Sequence, residues 1–160
     1  MIVVIWGVTD SGKATIARAL GQHLGWAWFD ADKYHPKASV AKMAAGGALC
    51  DADRQPWLQR LRALIDDYAD QTHAVLACSA LQIAYRQALG FGQAHVHRAL
   101  FYGSPALIAQ RLQQRQAHFM PASLLGSQFD LLQPQHDGLT LDVTQNPDDL
   151  VEQISDWLTD

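Results

Sequence analysis

The most restrictive stretch lies at the start of the chain, where the apolar run Ile2-Val3-Val4-Ile5-Trp6 leads into Gly7-Val8-Thr9-Asp10-Ser11-Gly12-Lys13. The run is short, rich in β-branched residues and closed by glycine, so it predicts a buried strand. Beyond Lys13 the period changes. Ile16, Leu20 and Leu24 recur every four residues with Ala17 beside them, which predicts a helix. Strand, glycine loop, Gly-Lys and helix together form the layout of a phosphate-binding loop. Backbone N–H groups in such a loop curl around an anion, and the helix N-terminus adds partial positive charge. Lys13 would then reach the terminal phosphates as a point charge. The plainer alternative is a tight strand-to-helix turn that happens to carry a lysine.

Two positions depart from the motif. Position 14 should carry Ser or Thr, whose hydroxyl ligates Mg²⁺, and here it is Ala14. Thr15 has a hydroxyl, but one residue along a helix is a rotation of about 100°, so it is expected to point elsewhere. Asp10 puts a carboxylate where phosphates approach. At about 6 Å and an effective dielectric of about 20, each unit of like charge costs about 3 kcal/mol. Asp10 must therefore point outward, be protonated, or weaken binding.

The whole chain sets wider bounds. Its 160 residues, 49% of them hydrophobic, suit one domain with a full core. A net charge of −4 gives no basic footprint for nucleic acid. The two cysteines, Cys50 and Cys78, are too few for a disulfide scaffold, and Cys78 ends an apolar run as a small core residue. The seven histidines show no metal-ligand spacing. The apolar N-terminus is too short for a membrane span and has no basic flank, so neither a signal peptide nor an anchor is expected. A reducing cytoplasm is the expected compartment.

Further along, Trp26-Ala27-Trp28-Phe29 reads as a second strand ending in Asp30-Ala31-Asp32. Residues two apart on a strand share a face, so both carboxylates are expected to point into one cleft. That suits a metal or water ligand plus a general base, or simply a solvated strand end. Pro36 suits the first turn of a helix through Val40 and Met43 to Gly46-Gly47. Asp51 or Asp53 is expected to cap a helix with Pro56 in its first turn and Leu58, Leu61, Ile65 and Tyr68 as its stripe. Arg54, beside two aspartates, is either paired or aimed at a ligand.

Ala74-Val75-Leu76-Ala77-Cys78 predicts a central strand. Ser79 is expected to cap a helix carrying Leu81, Tyr85 and Leu89. Val96–Tyr102 predicts a fourth strand, and Ser104-Pro105 starts a helix. On it, Arg111 and Arg115 share a face, as a phosphate clamp or as a solvated basic patch. A helix is expected over 123–132 and a fifth strand over Leu139–Val143. Asn146-Pro147 starts a last helix with Leu150, Val151, Ile154 and Trp157 buried. Strands alternating with helices imply a parallel α/β sheet, whose ligands bind outside the carboxyl ends of the strands. Loop 7–13, Asp30, Asp32 and Ser79 all converge there.

Several stretches together resemble one family, the gluconate kinases (gluconokinases) of the P-loop kinase class. They are Asp30-Ala31-Asp32 with His35-Pro36, Lys42-Met43, Leu49 with Asp51-Ala52-Asp53-Arg54, and Pro56-Trp57-Leu58. Cys78-Ser79-Ala80-Leu81 with Tyr85-Arg86, and His118-Phe119-Met120-Pro121 with Leu124-Leu125 and Ser127-Gln128-Phe129, complete the match. With the loop it covers nearly the whole chain, and the His-Phe-Met-Pro run argues against other small acceptors such as shikimate.

The resemblance implies a three-layer P-loop kinase fold over residues 1–160, with a five-stranded parallel sheet ordered 2-3-1-4-5 and a helical lid around 113–127. It implies ATP with Mg²⁺, phosphorylation of D-gluconate to 6-phosphogluconate, and a homodimer. By the match, Gly7 to Thr15 with Arg111, Arg115, Asn146 and Pro147 would bind the nucleotide. Lys13, Asp32 and Arg115 would be catalytic, with Asp32 accepting the hydroxyl proton. Asp32, His35, Arg54, Arg86 and His118 would bind the sugar acid, and Asp30 would sit near Mg²⁺. The family's glycine at position 10 is Asp10 here, its Ser or Thr at 14 is Ala14, and its lysine after Cys-Ser-Ala-Leu is Gln82. Each lost hydroxyl or charge costs on the order of 1–3 kcal/mol. The alternative is therefore a weakly active or inactive relative that binds a ligand and regulates through it.

Overall fold

A computed structural model describes residues 1–7, 12–114 and 138–160, with the backbone alone over 111–114. Five strands form one sheet: β1 (Ile2–Trp6), β2 (Ala27–Asp30), β3 (Ala74–Cys78), β4 (Val96–Tyr102) and β5 (Leu139–Asp142). Their order is β2-β3-β1-β4-β5 and every pairing is parallel. This is the order expected from the resemblance. Among the described residues the helices are α1 (Lys13–Leu24), α2 (Lys37–Ala44), α3 (Asp51–Gln71), α4 (Ile83–Ala88), α5 (Pro105–Gln114) and α6 (Pro147–Thr159).

A central parallel strand is apolar on both faces because helices cover both. β1 shows the division residue by residue. Val3 and Ile5 join a core with Ile16, Ala17 and Leu20 of α1 and Leu150, Val151 and Ile154 of α6. Ile2, Val4 and Trp6 join a second core with Trp57, Leu58, Leu61 and Ile65 of α3 and Leu89. The sheet is thus the middle layer of three. The chain runs outward from β1 to β2 and β3 on one side, then to β4 and β5 on the other. That reversal opens a crevice at the carboxyl ends of β1 and β3.

Local structure departs from expectation in three places. β2 stops at Asp30, and Ala31–Tyr34 wind into a 3₁₀ turn, so Asp30 and Asp32 are not alternate residues of one strand. Ser79 caps no helix: α4 begins only at Ile83, because the buried Arg86 side chain fixes the preceding segment instead. Its Nε donates to the Ala80 carbonyl at 2.8 Å and its second amino group donates to that of Leu81 at 2.7 Å. In α3, Cys50 is the N-cap and the Asp53 carboxylate accepts from its backbone N–H at 2.9 Å. Asp53 is therefore the reciprocal member of a capping box, and Pro56 falls in the second turn. Asn146 caps α6 through Asp148 N–H at 2.9 Å, with Pro147 next, as expected.

Candidate active site

The two ends of the glycine loop are fixed by the sheet and by α1. Gly7 follows β1 with φ of 145°, and a Cβ there would lie 2.5 Å from the Phe101 carbonyl oxygen. Only glycine fits a strand end pressed this closely on β4. Its N–H donates to the Ser79 carbonyl at 3.3 Å, joining the ends of β1 and β3. Gly12 caps α1 in the left-handed region, at φ 102°. Lys13, the first residue of α1, faces the cleft. Val8, Thr9, Asp10 and Ser11 lie outside the described residues.

Ala14 is packed against the hydrophobic core beneath α1, and Thr15 is exposed. Neither supplies the hydroxyl that the motif uses for a metal. Among the described residues no group of three or more His, Cys, Asp or Glu forms a metal-binding cluster. Asp30 and Asp32 remain as oxygen donors. Mg²⁺ usually takes one or two carboxylates, several waters and phosphate oxygens. One carboxylate, Asp30, with waters and phosphate oxygens would suffice for a metal carried in on a nucleotide, which leaves Asp32 for the acceptor hydroxyl.

The turn after β2 sets these carboxylates. Asp30 accepts from the Asp32 N–H at 3.0 Å, and Trp57 Nε1 donates to the Ala31 carbonyl at 2.7 Å. This second bond ties the turn to α3. Asp32 lines the cleft, whereas Asp30 stands behind it, half-buried. Burial raises the Asp30 pKa, and the Asp32 charge raises it further, against the Asp32 N–H and the charges of Lys13 and Lys33.

The cleft opens to solvent, and the space between its atoms together with that open side comes to about 460 Å³. Lys13, Asp32, His35, Arg54, Ser79 and Tyr85 supply its polar wall, and Met43, Leu49, Trp57 and Leu81 its apolar one. His35 stacks on Trp57 with ring centroids 4.4 Å apart and planes 12° from parallel. Burial pushes its pKa down to about 4, with the Arg54 charge adding to the effect and Asp30 opposing it. His35 is thus neutral at pH 7, and its Nδ1 is buried without a hydrogen-bond partner among the described residues. Arg54 NH1 donates to the Leu49 carbonyl at 2.9 Å and to the Tyr85 hydroxyl at 3.1 Å. The choice left open at Arg54 resolves toward the cleft, because neither neighbouring aspartate forms an ion pair with it.

Lys13, Asp32, His35 and Arg54 thus line one cleft. Arg86 does not join them. It is 1% exposed, and its guanidinium lies 4.0 Å over the Trp6 ring while bonding two carbonyls. These contacts hold it inside the second core, away from the cleft. Asn146 and Pro147 stand exposed at the start of α6, beyond β5. Arg111 lies on α5 with only its backbone described, and Arg115, His118 and residues 115–127 of the expected lid lie outside the described residues. Tyr85 and Trp57 were given no role by sequence reasoning. Tyr85 meets Arg54 across 31 positions, and no local pattern signals such a contact. Cys78 is a buried core thiol as expected, its pKa pushed up to about 12 by burial.

Comparison with known proteins adds to this geometry. The family model described as shikimate kinase matches residues 10–133. A gluconokinase of Gluconobacter oxydans is 39% identical over 156 residues, covering 95% of this chain and 88% of that protein. The chain belongs to the gluconokinase family. A sugar kinase from a Janibacter species, solved unliganded, superposes with a TM-score of 0.91 at 38% identity, covering 99% of this chain and 94% of that one. A gluconokinase from Sinorhizobium meliloti gives a TM-score of 0.81 at 32% identity, covering 94% and 87%. Membership makes the chain a P-loop phosphotransferase acting on an alcohol group.

Proposed function

We propose that the chain transfers the γ-phosphoryl group of ATP to a hydroxyl of D-gluconate, giving 6-phosphogluconate and ADP. The observation that carries this reading is the meeting of Lys13, Asp32 and Arg54 in one cleft at the carboxyl edge of the sheet. Phosphoryl transfer needs positioning and charge neutralisation more than covalent help. Lys13 and the N-terminus of α1 hold the phosphates. Arg54 holds the substrate carboxylate by charge-assisted bonds. Asp32 accepts the proton of the attacking hydroxyl as the new O–P bond forms and the bond to ADP breaks. His35, neutral at pH 7, lines the substrate side of the cleft as an uncharged polar ring. Mg²⁺, when bound with the nucleotide beside Asp30, neutralises phosphate charge.

Arg111, Arg115 and His118, with a lid over 113–127, and Asn146 and Pro147 beside adenine, belong to this proposal on the strength of the family resemblance. So do a single kinase domain over 1–160, a homodimer and a cytoplasmic setting. No helix among the described residues is long and apolar enough to cross a membrane.

The test is ADP release from Mg²⁺ and ATP over a panel of sugar acids. Gluconate-dependent turnover is expected. Asp32→Asn should lower kcat by about 10²- to 10⁴-fold while the KM for ATP changes little. A second reading, a ligand-binding relative with little activity, is favoured by Ala14, whose methyl packs on the core where a hydroxyl is needed. Retained nucleotide binding with no turnover on any acid would establish that reading in place of the first.

A further inference from the structure

Arg54 carries the positive charge on which recognition of a sugar acid depends in this reading, yet it sits on a helix start just after two aspartates, Asp51 and Asp53. Residues three apart on a helix are neighbours, so Asp51 is placed to pair with Arg54 directly and cancel its charge. The structure shows both aspartates engaged elsewhere. Asp53 accepts from Lys42 Nζ at 2.7 Å and from the Cys50 N–H at 2.9 Å. Asp51 accepts a short hydrogen bond from the Tyr85 hydroxyl. That same hydroxyl accepts from Arg54 NH1 at 3.1 Å, and the Leu49 carbonyl accepts from NH1 at 2.9 Å.

We infer that the Tyr85 hydroxyl is a spacer that sets specificity: standing between Asp51 and Arg54, it keeps the arginine free to bind a carboxylate-bearing substrate. A hydroxyl has one proton to donate and lone pairs to accept, and here it does both. It takes up the Asp51 carboxylate with its proton and presents a neutral oxygen to the guanidinium. Both NH1 partners are uncharged oxygens and no described residue bonds Nε or NH2, which leaves that edge for a fork-on-fork carboxylate pair. The Tyr85 ring also lies under the guanidinium, 5.3 Å from its carbon to the ring centroid. Burial and the bond to Asp51 raise the Tyr85 pKa, so the phenol keeps the proton the arrangement needs. Tyr85 is thus a positioning residue, acting on substrate only through Arg54. The inference rests on the reading of Arg54 as the carboxylate-binding residue.

Tyr85→Phe keeps the ring under Arg54 and removes only the spacer, so Asp51 collapses onto Arg54. The expected result is a KM for gluconate about tenfold higher, with the KM for ATP and kcat changed by less than about threefold. Adding Asp51→Asn removes the competing carboxylate, so the double variant should recover at least about threefold of the lost KM. A structural defect at Tyr85 would not be relieved by the second change. A double variant as impaired as Tyr85→Phe, or an unchanged KM in Tyr85→Phe, overturns the inference. A wild-type protein that does not phosphorylate gluconate would refute the proposed activity instead. The spacer is then read from a crystal structure of Tyr85→Phe. Arg54 paired with Asp51 supports it, and Arg54 unmoved refutes it.

Discussion

Replacing His35 by phenylalanine separates what this residue does for the fold from what it does for a ligand. The aromatic face that stacks on Trp57 is kept, while a ring that resists protonation, and a buried Nδ1 with no partner among the described residues, are removed. The His35 pKa in the folded protein is about 4, below its ordinary 6.5. Between those values the unfolded chain binds the proton more readily, so wild-type stability falls as pH drops through that window. Taken whole, the shift corresponds to about 2 kcal/mol lost at pH 5 and almost nothing at pH 7.5. His35 is partly open to solvent, and screening reduces this to about 1–1.5 kcal/mol. Phenylalanine has no such dependence. Urea unfolding of both proteins at pH 7.5 and 5 should show similar stability at the higher pH, or a gain of up to about 1 kcal/mol for the variant. At pH 5 the gap should widen by about 1–1.5 kcal/mol in favour of the variant, while turnover of gluconate falls at both. Parallel pH dependences for the two proteins would refute the buried, proton-resistant histidine. Undiminished turnover would remove His35 from the substrate site.

Two other substitutions probe positions where this chain departs from expectation. Ala14→Ser should fit the space beside the core with little strain and supply the missing hydroxyl, raising kcat/KM by roughly fivefold, or about 1 kcal/mol. The gain should be largest at limiting Mg²⁺, and an unchanged Mg²⁺ titration would show that position 14 does not face the phosphates. Arg86→Met should cost about 3 kcal/mol in urea unfolding, because it strands the Ala80 and Leu81 carbonyls and removes the cation over Trp6. A loss below about 1 kcal/mol would contradict its role as the anchor of the segment after β3.

The parts of this molecule that were legible in its sequence are those whose cause is local. Ile2–Trp6 must be a strand because β-branched residues end abruptly at a glycine, and Gly7 and Gly12 hold backbone angles of 145° and 102° that other residues rarely adopt. Alternation of strand and helix then fixes a parallel sheet, and the fold places Gly7, Gly12, Lys13, Asp32 and Ser79 toward one edge. The misreadings share a different cause. The period of two between Asp30 and Asp32 assumed a strand that continues, but the bond between the Asp30 carboxylate and the Asp32 N–H, together with the tether from Trp57, turns the chain after Asp30. Ser79 resembled a cap because serine often caps helices, yet Arg86, seven residues on, holds that segment by its carbonyls. The family resemblance puts Arg86 in the substrate site, and the fold places it 1% exposed over Trp6 with two carbonyl oxygens among its partners.

Arg54 and Arg86 show why a charged residue's destination cannot be read from its own neighbours in sequence. Each guanidinium bonds backbone carbonyl oxygen and meets an aromatic side chain, and the two aromatic side chains stand in different places. Trp6 belongs to a central strand and is 2% exposed, so the arginine over it is sealed inside. Tyr85 reaches from α4 to the mouth of the cleft, so the arginine it meets stays beside the ligand space. Trp6 is placed by its strand and Tyr85 by α4, so both contacts depend on how the whole chain folds. A cation's destination is therefore a property of the fold, and Tyr85→Phe asks how far the Tyr85 hydroxyl sets it for Arg54.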